Sequence, residues 1–426
     1  MSDISTIKES VAMGTVEGHC NARFDEVRQE FVRNFQERDE VGASVSIILN
    51  GETAVDLWGG SADPTIGQPW TRDTLCLIWS GTKGATSLCA HLLIDRGQLD
   101  INAPVARYWP EFAQEGKEAI TVKMVLSHQS GVAAISEPLP QGAFFDWDLI
   151  IHTLERQKPF WQPGTRHGYH SLTYGWLVGE LVRRVSGKSL GTFFRTEVAE
   201  PLGLDFWIGF PDEHKARLAP IIPAPPAEQI DPTSPAAKLM TDPNSLLRAL
   251  IFNIGGYMSP DTAGVMGYNQ PAALAAEIPA ANGIANARAL AGMYAPLAND
   301  GSINGVRLAG PDTLARMGSV IAASEMDASL FAPLRFSAGF FKSLDNRHIP
   351  RRAQGNSVLL SEEAFGFPGA GGSIGFADPG ARMSFGYTMN RMGAGIGLNS
   401  RGQSLVDAAY RALGYTSNAS RCWIKA

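Results

Sequence analysis

The chain has 426 residues, 44% of them hydrophobic, and a formal net charge of -6. That size and apolar content allow two or three domains with sizeable cores, and the acidic balance gives no support for a nucleic-acid partner or an anionic membrane surface. No apolar run approaches the roughly 20 residues needed to span a bilayer, and the opening residues lack the basic patch and apolar stretch of a secretory signal. Cys20, Cys76, Cys89 and Cys422 are scattered and outside any C-x-x-C spacing. This fits reduced thiols and a cytoplasmic protein, although a bridge between Cys20 and Cys422 is conceivable.

Residues 1–20 read as a flexible, polar N-terminal segment. Phe24, Val27, Phe31 and Phe35 then recur at helical spacing and predict an amphipathic helix over 22–38. Ala43 to Leu49, Asn50-Gly51 and Thr53 to Trp58 read as a β-hairpin, because Asn-Gly is the favoured pair for a type I′ turn. An apolar helix with Leu88, Ala90, Leu92 and Leu93 follows and stops at Gly97, a C-cap. The stretch from 100 to 270 reads as mostly helical. It is interrupted over 220–235 by a loop carrying Pro220, Pro223, Pro225, Pro226, Pro232 and Pro235. Short Gly- and aromatic-rich strands return at 336–342, 373–377 and 382–390, and a helix over 401–413 closes the chain. Strands at both ends with helices between predict an α+β fold. Its antiparallel sheet is built from both termini, over 21–99 and 271–426, and flanked by helices; a mostly helical domain over 100–270 is inserted.

The chemistry concentrates in Ser80-Gly81-Thr82-Lys83 at the start of the apolar helix. A serine and a lysine three apart share a helix face. A serine hydroxyl needs an adjacent base, and a lysine becomes one when desolvation or a neighbouring charge lowers its pKa. The helix N-terminus adds backbone N–H groups for a developing oxyanion. A second tetrad, Ser5-Thr6-Ile7-Lys8, lies in the polar N-terminal segment and shows how readily the spacing arises by chance. Tyr169, in Gly168-Tyr169-His170-Ser171, sits at a loop mouth before an apolar helix, a position suited to an acid–base group or to a packing tyrosine. Gly371-Gly372-Ser373-Ile374-Gly375 fits the nucleophile-elbow pattern, but no histidine follows Ser373, so its glycines are assigned to a tight sheet edge. His167 and His170 form an H-x-x-H pair without an acidic ligand cluster, which points to hydrogen-bonded or solvent-facing histidines and not to a metal.

From about residue 20 to 415 these segments, in order, resemble the serine β-lactamase-like superfamily of class C β-lactamases and penicillin-binding proteins, and most closely the family VIII carboxylesterases. Ser80 and Lys83 match the first motif, and Tyr169 matches the catalytic tyrosine. Ser171 stands where the lactamases carry a substrate-positioning asparagine. Phe367-Pro368-Gly369-Ala370 occupies the Lys-Thr-Gly position. The resemblance implies an acyl-enzyme on Ser80, proton transfer by Lys83 and Tyr169, and an oxyanion hole from the backbone N–H groups of Ser80 and Ala370. Ser171, Phe367, Gly369 and Trp161 are the implied substrate-binding residues. Phe367 and Pro368 offer neither charge nor hydroxyl to a β-lactam carboxylate, so a small neutral ester is the expected substrate, with no cofactor or metal. Which of Lys83 and Tyr169 is the formal base stays open. So do the oligomeric state and the rival readings of β-lactamase, D-amino-acid peptidase or amidase, acyltransferase and catalytically silent scaffold.

Overall fold

The computed structural model describes residues 4–224, 239–242, 244–349, 357–395 and 397–425. Its centre is an antiparallel sheet whose long strands are β1 (Ile4–Val11), β2 (Gly14–Asn21), β3 (Gly42–Leu49), β4 (Glu52–Asp63), β5 (Phe365–Pro368), β6 (Ile374–Asp378) and β7 (Met383–Met389). They lie in the order β1-β2-β4-β3-β7-β6-β5, so strands from the two ends of the chain meet where β3 pairs with β7, Val45 opposite Tyr387. The α+β architecture built from both termini is therefore the one observed. The β3–β4 hairpin turns at Asn50 and Gly51 with φ of 51° and 82°, both left-handed as a type I′ turn requires.

The N-terminal segment departs from expectation. Residues 4–21 form the β1–β2 hairpin, which extends the sheet beyond β4 through pairs such as Val16 with Gly59 and Cys20 with Val55. Val16 and Cys20 are buried, a period-two pattern hidden by the polar residues between them. The Ser5–Lys8 tetrad thus lies on an extended strand, where residues three apart point to opposite faces.

Helices cover both faces of the sheet. α1 (Asp25–Glu37) and α5 (Ser400–Ala412) seal one side, with Phe31, Phe35, Leu405 and Val406 against Ile47, Leu57, Phe376 and Phe385. α4 (Ala287–Ala298) seals the other. It comes close because β6 and β7 present Gly375 and Gly386 there: a Cβ on Gly386 would collide with the Ala287 carbonyl, and one on Gly375 with Leu290. α2 (Thr82–Asp95) and α3 (Thr173–Ser186) lie in a second core with Trp109, Leu126 and Ile150.

Three further expectations change. The stretch from 100 to 270 holds short helices, such as Trp147–Arg156, among long loops, and a strand, Phe206–Trp207, that pairs with Ile284–Ala285. Of the strand expected over 336–342 only Phe336 lies in one, as the last residue of Leu334–Phe336, and the chain then turns at Gly339 (φ 91°). Pro225, Pro226, Pro232 and Pro235 of the Pro-rich loop lie outside the described residues. All four cysteines are free thiols, which removes the Cys20–Cys422 bridge. No helix among the described residues is long and apolar enough to cross a membrane.

Candidate active site

Ser80 lies on the turn that leads into α2. The Lys83 N–H bonds to the Ser80 carbonyl at 2.9 Å, and Thr82 Oγ1 ties the turn together by donating to the Trp79 carbonyl and accepting from the Gly283 N–H. Trp79, immediately before the serine, has φ of 52°. This left-handed conformation is strained for a bulky residue and costs of order 1–3 kcal/mol. Packing of the indole against Tyr268 and Tyr257, with ring centroids 4.8 and 6.4 Å away, holds it there.

Lys83, one turn on, is fully buried. Its Nζ lies 3.2 Å from Ser80 Oγ, 2.7 Å from the Ser171 carbonyl and 2.8 Å from the Ala280 carbonyl. Burial without an acidic partner holds the amine well below the ordinary lysine range. Two carbonyls take two N–H donors, so the remaining tetrahedral position of a neutral amine, its lone pair, faces the serine hydroxyl. The apolar setting comes partly from the Phe367 ring, whose centroid is 5.7 Å from Nζ.

Tyr169 closes the triangle: its hydroxyl donates to Ser80 Oγ at 2.7 Å. Phe336, Phe341 and Phe367 surround the phenol with ring centroids 6.1 to 6.3 Å away. Burial pushes its hydroxyl above the ordinary tyrosine range. A resting tyrosinate is thereby disfavoured.

The turn between β5 and β6 lies against the serine segment. Ser373 Oγ donates to the Ile78 carbonyl at 3.2 Å, and the Gly369 N–H donates to the Ser373 carbonyl at 2.8 Å. A Cβ on Gly369 would collide with both Ile78 O and Ser373 Oγ, so only glycine lets this turn, and Ala370 on it, approach the segment that leads to Ser80. Ser373 is a buried pin in that turn. The first residues of the Pro-rich stretch border the same turn: the Ile222 N–H bonds to Asn390 O at 2.8 Å and the Met392 N–H to Ile222 O at 3.0 Å, and Met392 packs beside Gly371.

Other candidates have different places. Ser171 contributes its backbone carbonyl to Lys83, and its residue lines a small apolar pocket with Ala133, Ala134, Ile135 and Leu250. Trp161 sits behind the Tyr169 loop, with Nε1 donating to the Arg166 carbonyl at 3.1 Å and its ring edge-on to His170, and neither contact involves Ser80. His167 Nδ1 bonds to Asp327 at 2.8 Å. His170 bonds to the Gly168 carbonyl and to Ser130 Oγ, both at 2.6 Å. The two rings therefore serve separate partners, and no group of three His, Cys, Asp or Glu among the described residues is placed to hold a metal ion. Sequence reasoning missed the Ala280 carbonyl, which carries no side-chain signature, and Asp327, which lies 158 residues beyond Tyr169.

The β-lactamase family matches residues 28–407. The esterase/β-lactamase LipL of Mycobacterium tuberculosis is 35% identical over 382 residues, covering 88% of this chain and 83% of that protein. Among solved structures, a family VIII carboxylesterase is 38% identical with a TM-score of 0.80, covering 93% of this chain and 99% of the other. A penicillin-binding protein homologue from Caulobacter crescentus is 35% identical with a TM-score of 0.80 and the same coverages. This chain belongs to the β-lactamase family and is a serine hydrolase of that superfamily.

Proposed function

We propose that the protein hydrolyses carboxylic esters through an acyl-enzyme on Ser80, with Lys83 and Tyr169 as its proton-transfer pair. The observation that carries this reading is Ser80 Oγ, bonded at once to the Lys83 amine and the Tyr169 hydroxyl. Neutral Lys83 takes the Ser80 proton as Oγ attacks the ester carbonyl, and the backbone N–H groups of Ser80 and Ala370 hold the oxyanion. The tetrahedral intermediate collapses as Tyr169 protonates the leaving alkoxide and recovers a proton from the Lys83 ammonium. Water then attacks the acyl carbonyl, gives up a proton to the same pair, and frees the carboxylic acid and Ser80. Lys83 is assigned as the resting base because burial disfavours both the ammonium and the tyrosinate, leaving a neutral pair.

A neutral ester suits the site because Phe367 is a buried phenylalanine and Pro368 lacks a hydroxyl where a carboxylate would be gripped. The double description of LipL as esterase and β-lactamase makes β-lactam cleavage the second reading. An activated phosphonate is expected to label the Ser80 peptide, and Ser80→Ala to abolish turnover. Short p-nitrophenyl esters should exceed a chromogenic cephalosporin in kcat/KM by about 30- to 10³-fold, the value of one lost charge-assisted contact of about 2–4 kcal/mol. Labelling at Ser373 would overturn the nucleophile, and comparable rates on both substrates would overturn the ester preference.

A further inference from the structure

The backbone that carries Tyr169 is gripped from two sides. Its peptide N–H points into the fork of the Asp327 carboxylate, 3.0 Å from each oxygen. The same carboxylate accepts the His167 Nδ1–H at 2.8 Å and the backbone N–H groups of Ser329 and Leu330 at 2.9 Å each. Asp327 has no exposed surface, and a buried carboxylate persists only where donors surround it. Its donors come from its own turn and from the residues at and just before Tyr169. A second tie runs alongside, from the Ala328 N–H to the His167 carbonyl at 3.1 Å. Gly168 permits this approach, since a Cβ there would press on Ser329 Oγ and the Trp161 ring. On the other side the His170 N–H donates to His128 Nδ1 at 3.1 Å, and the Gly168 N–H to the His128 carbonyl at 3.0 Å.

We propose that Asp327 is a positioning residue of the catalytic machinery: with His167 as its side-chain partner, it fixes the Tyr169 peptide so that the phenol stays within hydrogen-bond reach of Ser80. The inference rests on the reading of Tyr169 as proton carrier. Asp327 touches neither Ser80 nor Lys83, so its effect passes through the tyrosine, and charge-assisted bonds to a backbone N–H are strong enough to set that peptide's place.

The test replaces Asp327 by Asn, which keeps the shape but turns an N–H group toward donors that expect an acceptor. A shift of about 1 Å at a catalytic group costs on the order of 10²-fold in rate, so kcat on a p-nitrophenyl ester should fall by about that factor. KM should stay within about threefold, because substrate binding is not what is removed. In a Tyr169→Phe background the same replacement should slow phosphonate labelling of Ser80 by less than about twofold, since the group it positions is gone. His167→Asn, which can present an N–H near the position of Nδ1, should keep most of the activity that His167→Ala loses. This pair carries the test if Asp327→Asn does not fold. Wild-type kcat in Asp327→Asn, or an equal loss with and without the Tyr169 hydroxyl, overturns the inference. A Tyr169→Phe enzyme with undiminished turnover overturns the tyrosine's role itself, a result the cycle reports separately.

Discussion

Replacing Lys83 by Met keeps the length and apolar stem of the side chain and removes the amine. In the native site Nζ makes three hydrogen bonds, to Ser80 Oγ, Ser171 O and Ala280 O. Two of these are to backbone carbonyls, and each buried acceptor left without a donor costs about 1–3 kcal/mol, or about 2–6 kcal/mol together. Relief of burying a group that titrates to an ammonium works in the opposite direction, so the net loss of stability should fall below that range. The catalytic loss is separate. Without a base for Ser80, kcat should fall by about 10²- to 10⁴-fold, equivalent to about 2.7–5.4 kcal/mol of barrier. The assay pairs p-nitrophenyl ester turnover, normalised by active-site titration, with urea unfolding. The pH profile supplies a second readout. Burial lowers the Lys83 pKa, so wild-type kcat/KM should rise with pH as the amine deprotonates, on a limb well below the ordinary lysine range. That limb should vanish in Lys83→Met. Turnover above one tenth of wild type, or an unmoved limb, would refute Lys83 as base.

Phe367→Ala removes the ring 5.7 Å from Nζ and lets water approach; with less desolvation the Lys83 pKa should rise, and the ascending limb of kcat/KM should move to higher pH. Gly369→Ala should lower kcat at least about tenfold while leaving labelling of other serines absent, because its Cβ would collide with Ile78 O and push Ala370 away from Ser80. Deleting residues 1–13 removes β1, which is β2's outer partner. The variant should lose stability and aggregate by exposing an unpaired strand edge, as judged by urea midpoint and light scattering; an unchanged midpoint would mean that the hairpin contributes nothing to the sheet.

Much of this protein is local in origin and was legible in the sequence. The Asn50-Gly51 turn, the periodic phenylalanines of α1 and the strands β6 and β7 follow from φ preferences and hydrophobic period alone. The Ser-x-x-Lys spacing likewise lets Ser80 Oγ and Lys83 Nζ meet, at 3.2 Å, once the segment winds into a helical turn. What only the tertiary structure decided are the contacts that depend on distant backbone. Val16 and Cys20 of β2 became an inner strand only because β4 offered an edge to pair with. Lys83 became a depressed amine because distant segments bury it in a dry core, and the carbonyls of Ser171 and Ala280, which any residue could supply, hold its Nζ beside Ser80. Asp327 became the anchor of Tyr169 because a turn far along the chain folds back over Gly168. Sequence patterns report side-chain types at short spacing; they carry no signal for a backbone carbonyl's direction or for which distant segments exclude water together, and those two quantities set the protonation and placement of the groups around Ser80.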